Sequence, residues 1–249
     1  MALLPPSLRE PFAKSRALKI ISGISNFDPD LTAKVVRAAD RGGADYVDIA
    51  ADAGLVAMAK QLTQLPVCVS AVSAEMFVAP VRAGADLLEI GNYDSFYAQG
   101  VRFSAEAILQ VTLATKQRFP SLPLTVTVPH YLLLDEQVAL AERLEQAGAD
   151  LIQTEGGTSS QPRHSGTRGL MEKAVPTLSA CYEISRAVRI PVICASGLSK
   201  VTIPLAIACG AKGVGVGRAV NQLQDPVAMI ATVRSLREAL DSMVVLTTP

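Results

Sequence analysis

The stretch GGADYVDIAADAGLVAMAKQLTQLPVCVSAV, residues 42–72, holds one repeating unit of the chain and both of its punctuation marks. Gly43-Ala44-Asp45 leads into the apolar run YVDIAA (46–51), and Leu65-Pro66 leads into the apolar run VCVSAV (67–72). Between them lies the helix-like segment Leu55–Gln64. Short apolar runs separated by helix-length segments predict βαβ units and a parallel sheet. Glycine just past a helix adopts the left-handed conformation that stops it. Proline has no amide hydrogen, so it suits the start of a strand rather than its middle.

The two marks alternate along the whole chain. The runs are LKIISGI (18–24), YVDIAA, VCVSAV, LLEIG (87–91), LTVTV (124–128), LIQTE (151–155), VICAS (192–196) and VGVG (214–217). Gly-Ala-Asp, or Gly-Ala-Lys at the last place, stands at 43–45, 84–86, 148–150 and 210–212, before the even-numbered runs. Leu-Pro or Ile-Pro stands at 65–66, 122–123 and 190–191, before runs three, five and seven. Further helices are expected over Leu31–Arg41, Ala105–Arg118, Glu136–Gln146 and Leu178–Val188. Glycine and proline punctuate any α/β protein, yet strict alternation implies four repeated quarter-units. Eight strand–helix units close into a (β/α)8 barrel of the α/β class; an open doubly wound sheet is the alternative. A barrel of this kind needs ~250 residues, and the chain has 249. No linker or low-complexity stretch divides it, so one domain over 1–249 is expected, with the barrel core at about 17–245.

Composition narrows the function classes. Hydrophobic residues make up 49% and charged residues 18%, and the mean hydropathy is +0.31, as in a core-rich globular protein. Net charge is zero, with no basic stripe, which argues against nucleic acid as a partner. No apolar run is long enough to span a bilayer, and the start of the chain, MALLPPSLREPFAKSR, lacks the apolar core of a signal peptide. Cys68, Cys181, Cys194 and Cys209 form no CxxC pair; they read as reduced, buried thiols, and no metal is expected. A homo-oligomer stays open.

Alternate residues of a barrel strand point to the axis. Where the apolar set faces the helices, the other set is Lys19, Asp48, Ser70, Glu89, Thr125, Thr127, Gln153 and Glu155. A purely structural barrel fills those positions with valine, isoleucine and leucine. Lys19, Asp48 and Glu89, with Gln153, therefore read as a catalytic floor, since confined charges acquire pKa values suited to proton transfer. Lys19 is the one lysine so placed. It serves either a carbonyl through a Schiff base or simply the neutralisation of Asp48 and Glu89. A network that only fixes strand register is the plain alternative. His130, at the end of run five, is a general-base candidate.

Barrels bind phosphate after strands seven and eight. Here those ends read Ala195-Ser196-Gly197-Leu198-Ser199 and Gly215-Val216-Gly217-Arg218. Glycines let the backbone approach an oxyanion, and serine and arginine donate to it. Ser196, Gly197, Gly215, Gly217 and Arg218 are the expected anion site; tight strand–helix packing is the alternative. Strand six adds Gly156, Gly157 and Thr158 at the head of a long loop, TEGGTSSQPRHSGTRG, which carries Arg163, His164 and Arg168. The strand-four loop brings Tyr93, Phe96 and Tyr97 to the same end, as a stacking wall or a cap.

KIISGI, GGADYVDIA, EIGNYDSFYAQG, TVTVPH, QTEGGTSS, PVICASGLS and GVGVGRAVN together resemble the family called hypothetical chloroplast reading frame twenty-three (Ycf), found in cyanobacteria and plastids. The resemblance runs from about Lys19 to Leu240. It implies an aldolase-like, phosphate-binding barrel in the cyanobacterial cytosol or plastid stroma, and carries no reaction. In that family a small polar residue commonly stands at the position of Arg218, which shifts the weight to the glycines and Ser196. A looser resemblance, over the last third only, is to flavin-dependent nitronate monooxygenases, through TEGGTSS, PVICASG and GVGVG.

The expected function is an enzyme of lyase, isomerase or synthase type on a small phosphorylated metabolite. No cofactor is required. The alternatives are an FMN-binding oxidoreductase and a non-catalytic ligand-binding barrel.

Overall fold

The computed structural model describes residues 3–91, 93–97, 99–156 and 162–242. Eight parallel strands close into a ring in sequence order: β1 (Ala17–Ile21), β2 (Tyr46–Ala50), β3 (Val67–Ala71), β4 (Leu87–Ile90), β5 (Leu124–Thr127), β6 (Leu151–Gln153), β7 (Val192–Ala195) and β8 (Gly213–Val216). The helices are α1 (Pro6–Ala13), α2 (Pro29–Gly42), α3 (Ala53–Leu62), α4 (Val78–Arg82), α5 (Asp94–Tyr97) and α6 (Ala105–Arg118). They continue as α7 (Leu134–Gln146), α8 (Gly166–Ala187), α9 (Ile203–Ala208), α10 (Arg218–Asn221) and α11 (Pro226–Asp241). The fold is the (β/α)8 barrel that the alternating marks predicted.

The marks close the N-terminal end of the ring. Gly43, Gly84, Gly148 and Gly210 have φ values of +83°, +102°, +93° and +103°, the left-handed region where a side chain is disfavoured. The aspartate two residues later reaches back to the preceding strand. Asp86 Oδ2 accepts the amide of Val67 at 2.7 Å, and Asp150 Oδ2 accepts that of Leu124 at 2.9 Å. Asp45 Oδ2 does the same for Leu18 at 2.7 Å. Lys60, Lys116 and Arg237 neutralise these carboxylates at 2.7, 2.9 and 2.5 Å respectively. At the fourth mark Lys212 replaces aspartate, and its backbone amide alone bonds across, to Val192 at 2.8 Å.

Leu18, Ile20, Val47, Ile49, Val69, Leu88, Ile90, Val126, Ile152 and Val214 belong to the outer core between sheet and helices. The opposite phase faces the axis. At the N-terminal end it holds Ala17, Tyr46, Cys68, Leu87, Leu151 and Ile193, which α1 covers with Leu8 and Phe12, joined by Leu4. This plug helix was absent from the sequence expectation. Helix α8 also departs from it: it starts at Gly166, twelve residues before the expected Leu178, so part of the expected loop is helical. Gly169 permits this, because a Cβ there would lie 2.0 Å from the carbonyl oxygen of His164.

Phe12 is 1% exposed. Phe12→Ala is expected to lower stability by about 3–5 kcal/mol, the usual cost of emptying a buried phenylalanine site. Urea unfolding monitored by circular dichroism measures this; a loss within experimental error would mean that α1 does not plug the ring.

Candidate active site

At the C-terminal end of the strands opens a cavity of about 1060 Å³. Ile21, Thr127, Gln153, Ala195 and Gly215 line its depth, and Ser22, Asn26, Asp94, Glu155 and Lys173 line its walls. Ser196, Gly197, Ser199, Gly217 and Arg218 form one rim of it. The pairing of Ala195 with Gly215 sets the two strand ends level, so Gly197 and Gly217 reach the same rim.

Local backbone explains the rim. Ser196 and Gly197 both have positive φ, +75° and +71°. For serine that conformation costs about 1–3 kcal/mol, strain of the kind that collects at functional sites. Gly217 is the N-cap of α10 with no side-chain cap, which leaves the first amides of that turn to other partners. A Cβ at Gly217 would lie 3.2 Å from the carbonyl oxygen of Ile21, and one at Gly215 would lie 3.0 Å from Ala195 Cβ and 3.3 Å from Gln153 Oε1. Glycine thus keeps the rim open and lets Gln153 approach it.

Lys19, Asp48 and Glu89 are each 0% exposed and do not line the cavity. They form a sealed layer beneath it. Lys19 Nζ pairs with Glu89 Oε2. Glu89 Oε1 accepts Gln153 Nε2 at 2.7 Å, and the same Nε2 lies 3.2 Å from Thr127 Oγ1. Ser70 Oγ donates to Asp48 Oδ1 at 2.6 Å. Burial works against the Lys19 ammonium, but the charges of Glu89 and Asp48 outweigh it and hold its pKa above the ordinary value. Burial, aided by Glu89 and opposed by Lys19, lifts the Asp48 carboxyl to about 7. A sealed, protonated lysine is poorly placed for a Schiff base, so of the two roles read for Lys19 the neutralising one fits this geometry. Gln153, by contrast, connects the layer to the cavity.

His130 does not line the cavity either. Its Nδ1 lies 3.1 Å from Glu155 Oε2, which also accepts the hydroxyl of Tyr97 at 2.8 Å. The hydrogen bond to Glu155 raises the His130 pKa against the effect of burial. Gly156 packs on Thr177 and the carbonyl of Ser196 rather than on the cavity. Gly157 and Thr158 lie outside the described residues. Arg163 and His164 donate backbone amides to Glu172, and Arg168 pairs with it at 3.4 Å, so the described part of the loop is tied to α8. Tyr93, Phe96 and Tyr97 act as a cap: Tyr93 is buried 5.0 Å from the Phe103 ring, and Phe96 packs edge-on to Phe103. Asp94 and Lys173 were missed. Asp94 sits among aromatics, and Lys173 lies between the loop read to Gly169 and the helix read from Leu178.

The closed strand ring with its surrounding helices defines a (β/α)8 barrel. Similar folds include 3-hexulose-6-phosphate synthase (TM-score 0.64, 17% identity, 90% of this chain and 99% of that one). Another is (S)-3-O-geranylgeranylglyceryl phosphate synthase from Thermoplasma acidophilum, solved with its substrate sn-glycerol-1-phosphate (0.63, 14%, 94% and 98%). A third is thiamine phosphate pyrophosphorylase from Pyrococcus furiosus (0.62, 20%, 93% and 98%). At these identities the likeness is one of fold. The chain belongs to the family described as protein of unknown function (DUF561), whose profile matches residues 4–246. It is 40% identical over 234 residues to the ycf23 protein of Cyanophora paradoxa (94% of this chain, 96% of that one). It is 36% identical over 230 residues to that of Pyropia yezoensis (92% and 84%). The family resemblance read from the sequence is thus confirmed, and with it a plastid or cyanobacterial setting. Among the described residues no helix is long and apolar enough to cross a membrane.

Lys19→Met leaves Glu89 buried without its cation, and is expected to cost about 3–5 kcal/mol, whereas Lys19→Met with Glu89→Leu recovers most of that loss. Denaturant unfolding of the two single variants and the double variant reads the cycle; additive losses would dissolve the pair. An unfolded aspartate titrates near about 4. The Asp48 contribution is therefore fully present below that pH and is lost as pH rises through about 7. Asp48→Asn should accordingly gain in stability relative to the parent across that window, and a pH-independent difference between their unfolding midpoints would contradict the buried titration.

Proposed function

We propose that the protein is an enzyme acting on a small phosphorylated metabolite, with chemistry of lyase, isomerase or synthase type. The observation that carries this reading is the shared rim of β7 and β8. Gly197 and Gly217 stand level there without side chains, and Ser196, Ser199, Arg218 and Lys173 border the same space. Backbone amides at such a rim donate to phosphate oxygens, and Arg218 and Lys173 supply charge from the outside. The phosphate is held at this rim, and the rest of the molecule lies over Gln153 and Thr127, facing Glu155.

The floor then has a defined chemical role. Glu89 and Thr127 engage the amide nitrogen of Gln153, and the amide oxygen lies beside Gly215. That oxygen accepts a hydroxyl of the bound molecule. Glu155, on the wall, faces the bound molecule, with His130 behind it and Tyr97 fixing its orientation. Lys19, Asp48 and Glu89 act through Gln153 as positioning residues. The cavity volume also admits FMN, whose phosphate would use the same rim. A flavin oxidoreductase is therefore the second reading.

Titration calorimetry with a panel of phosphosugars, and absorbance after incubation with FMN, separate the two. The expected outcome is phosphosugar binding that Gly217→Val weakens at least tenfold, about 1.4 kcal/mol, while Arg218→Ala has a smaller effect. Retention of FMN in stoichiometric amount would favour the flavin reading. Binding indifferent to Gly217→Val would defeat both.

A further inference from the structure

We infer that Asp94, His130 and Glu155 form a divalent metal site on the wall of the cavity. Asp94 begins α5 beyond β4, His130 follows β5 and Glu155 follows β6. One ligand atom from each lies within 4.8 Å of the other two. Two atoms bound to one ion at about 2.0–2.3 Å stand at most about 4.6 Å apart. Three atoms sharing one ion from one side stand closer still, about 3–4 Å apart, so side-chain rotations that move these atoms by up to about an ångström close the set on an ion.

An independent feature points to a ligand at this place. Glu155 is 4% exposed and lines the cavity, yet its Oε1 is buried with no hydrogen-bond partner among the described residues. Its other oxygen is well served, by Tyr97, His130 Nδ1 at 3.1 Å and the His130 amide at 3.3 Å. A buried carboxylate oxygen without a donor is costly, and a cation removes that cost. Tyr97 supplies the outer support that metal carboxylates commonly have, through its 2.8 Å bond to Oε2.

The donor set selects the class of ion. One imidazole nitrogen with two carboxylates suits borderline and hard divalent ions such as Mn²⁺, Fe²⁺, Zn²⁺ or Mg²⁺. Three ligands from one side leave coordination positions towards the cavity, which Asp94 and Glu155 both line. A carbonyl or hydroxyl oxygen of a bound molecule can take one of them and be polarised there. The second acidic cluster, Asp48 with Cys68 and Glu89, differs in kind: the Lys19 ammonium already occupies it, and it does not reach the cavity.

The metal site does not depend on the phosphate rim, and the test keeps the two apart. Chelator-treated protein is titrated with Mn²⁺, and uptake is followed by loss of the free-ion electron paramagnetic resonance signal and by calorimetry. The expected result is one ion per chain, with Asp94→Asn and Glu155→Gln each weakening binding at least about tenfold, and Gly217→Val leaving Mn²⁺ affinity unchanged. Asp94 is half-buried at the start of a short helix, so Asp94→Asn carries the test if Glu155→Gln fails to fold. No Mn²⁺ uptake by the folded parent protein would overturn the proposal. So would uptake that ignores the folded variants.

Discussion

The ion pair between Lys19 and Glu89 sits at the centre of a closed ring, and much of the ring's interior geometry depends on it. A charge this deeply buried is tolerated only when paired and hydrogen-bonded. Glu89 answers Lys19 with one oxygen and spends the other on Gln153, 2.7 Å away. Gln153 is thereby held with its amide oxygen beside Gly215, and Gly215 is glycine in a place where a methyl group would crowd Gln153, Ala195 and Ile21. The floor of the cavity is thus set by a charge pair that never touches its contents.

The two ends of the barrel are built differently. At the N-terminal end, Asp45, Asp86 and Asp150 bond to the preceding strands, and α1 seals the ring with Leu8 and Phe12. At the other end lie the positive-φ turn at Ser196, the uncapped start of α10 and the half-satisfied carboxylate of Glu155. In barrels generally, binding falls at the C-terminal face and stabilising contacts at the other.

The strands and the direction of their side chains were legible because a barrel imposes a period of two. Lys19, Asp48, Glu89 and Gln153 stand out as polar residues in the inward phase of apolar runs. Depth was not legible. How far a residue lies below the cavity depends on the stagger between strands, which pairs Lys19 with Gly215 and Glu89 with Thr125, and no single run contains that information. Asp86 and Asp150 were visible as a repeat, but their partners lie on the strand before. Lys173 was hidden because Gly166 and Gly169 mask the start of α8, which left 170–177 assigned to neither loop nor helix. Asp94 has no local pattern of its own; only the closed ring brings it to His130 and Glu155.

In the function proposed above, the rim shared by β7 and β8 holds a phosphate over a floor built on Gln153. The most direct measurement is a crystal structure of the protein with a bound phosphosugar. Phosphate density is expected within hydrogen-bond reach of the Gly197 and Gly217 backbone, with a hydroxyl of the sugar on Gln153 Oε1. A sugar bound in the cavity with its phosphate elsewhere would contradict it.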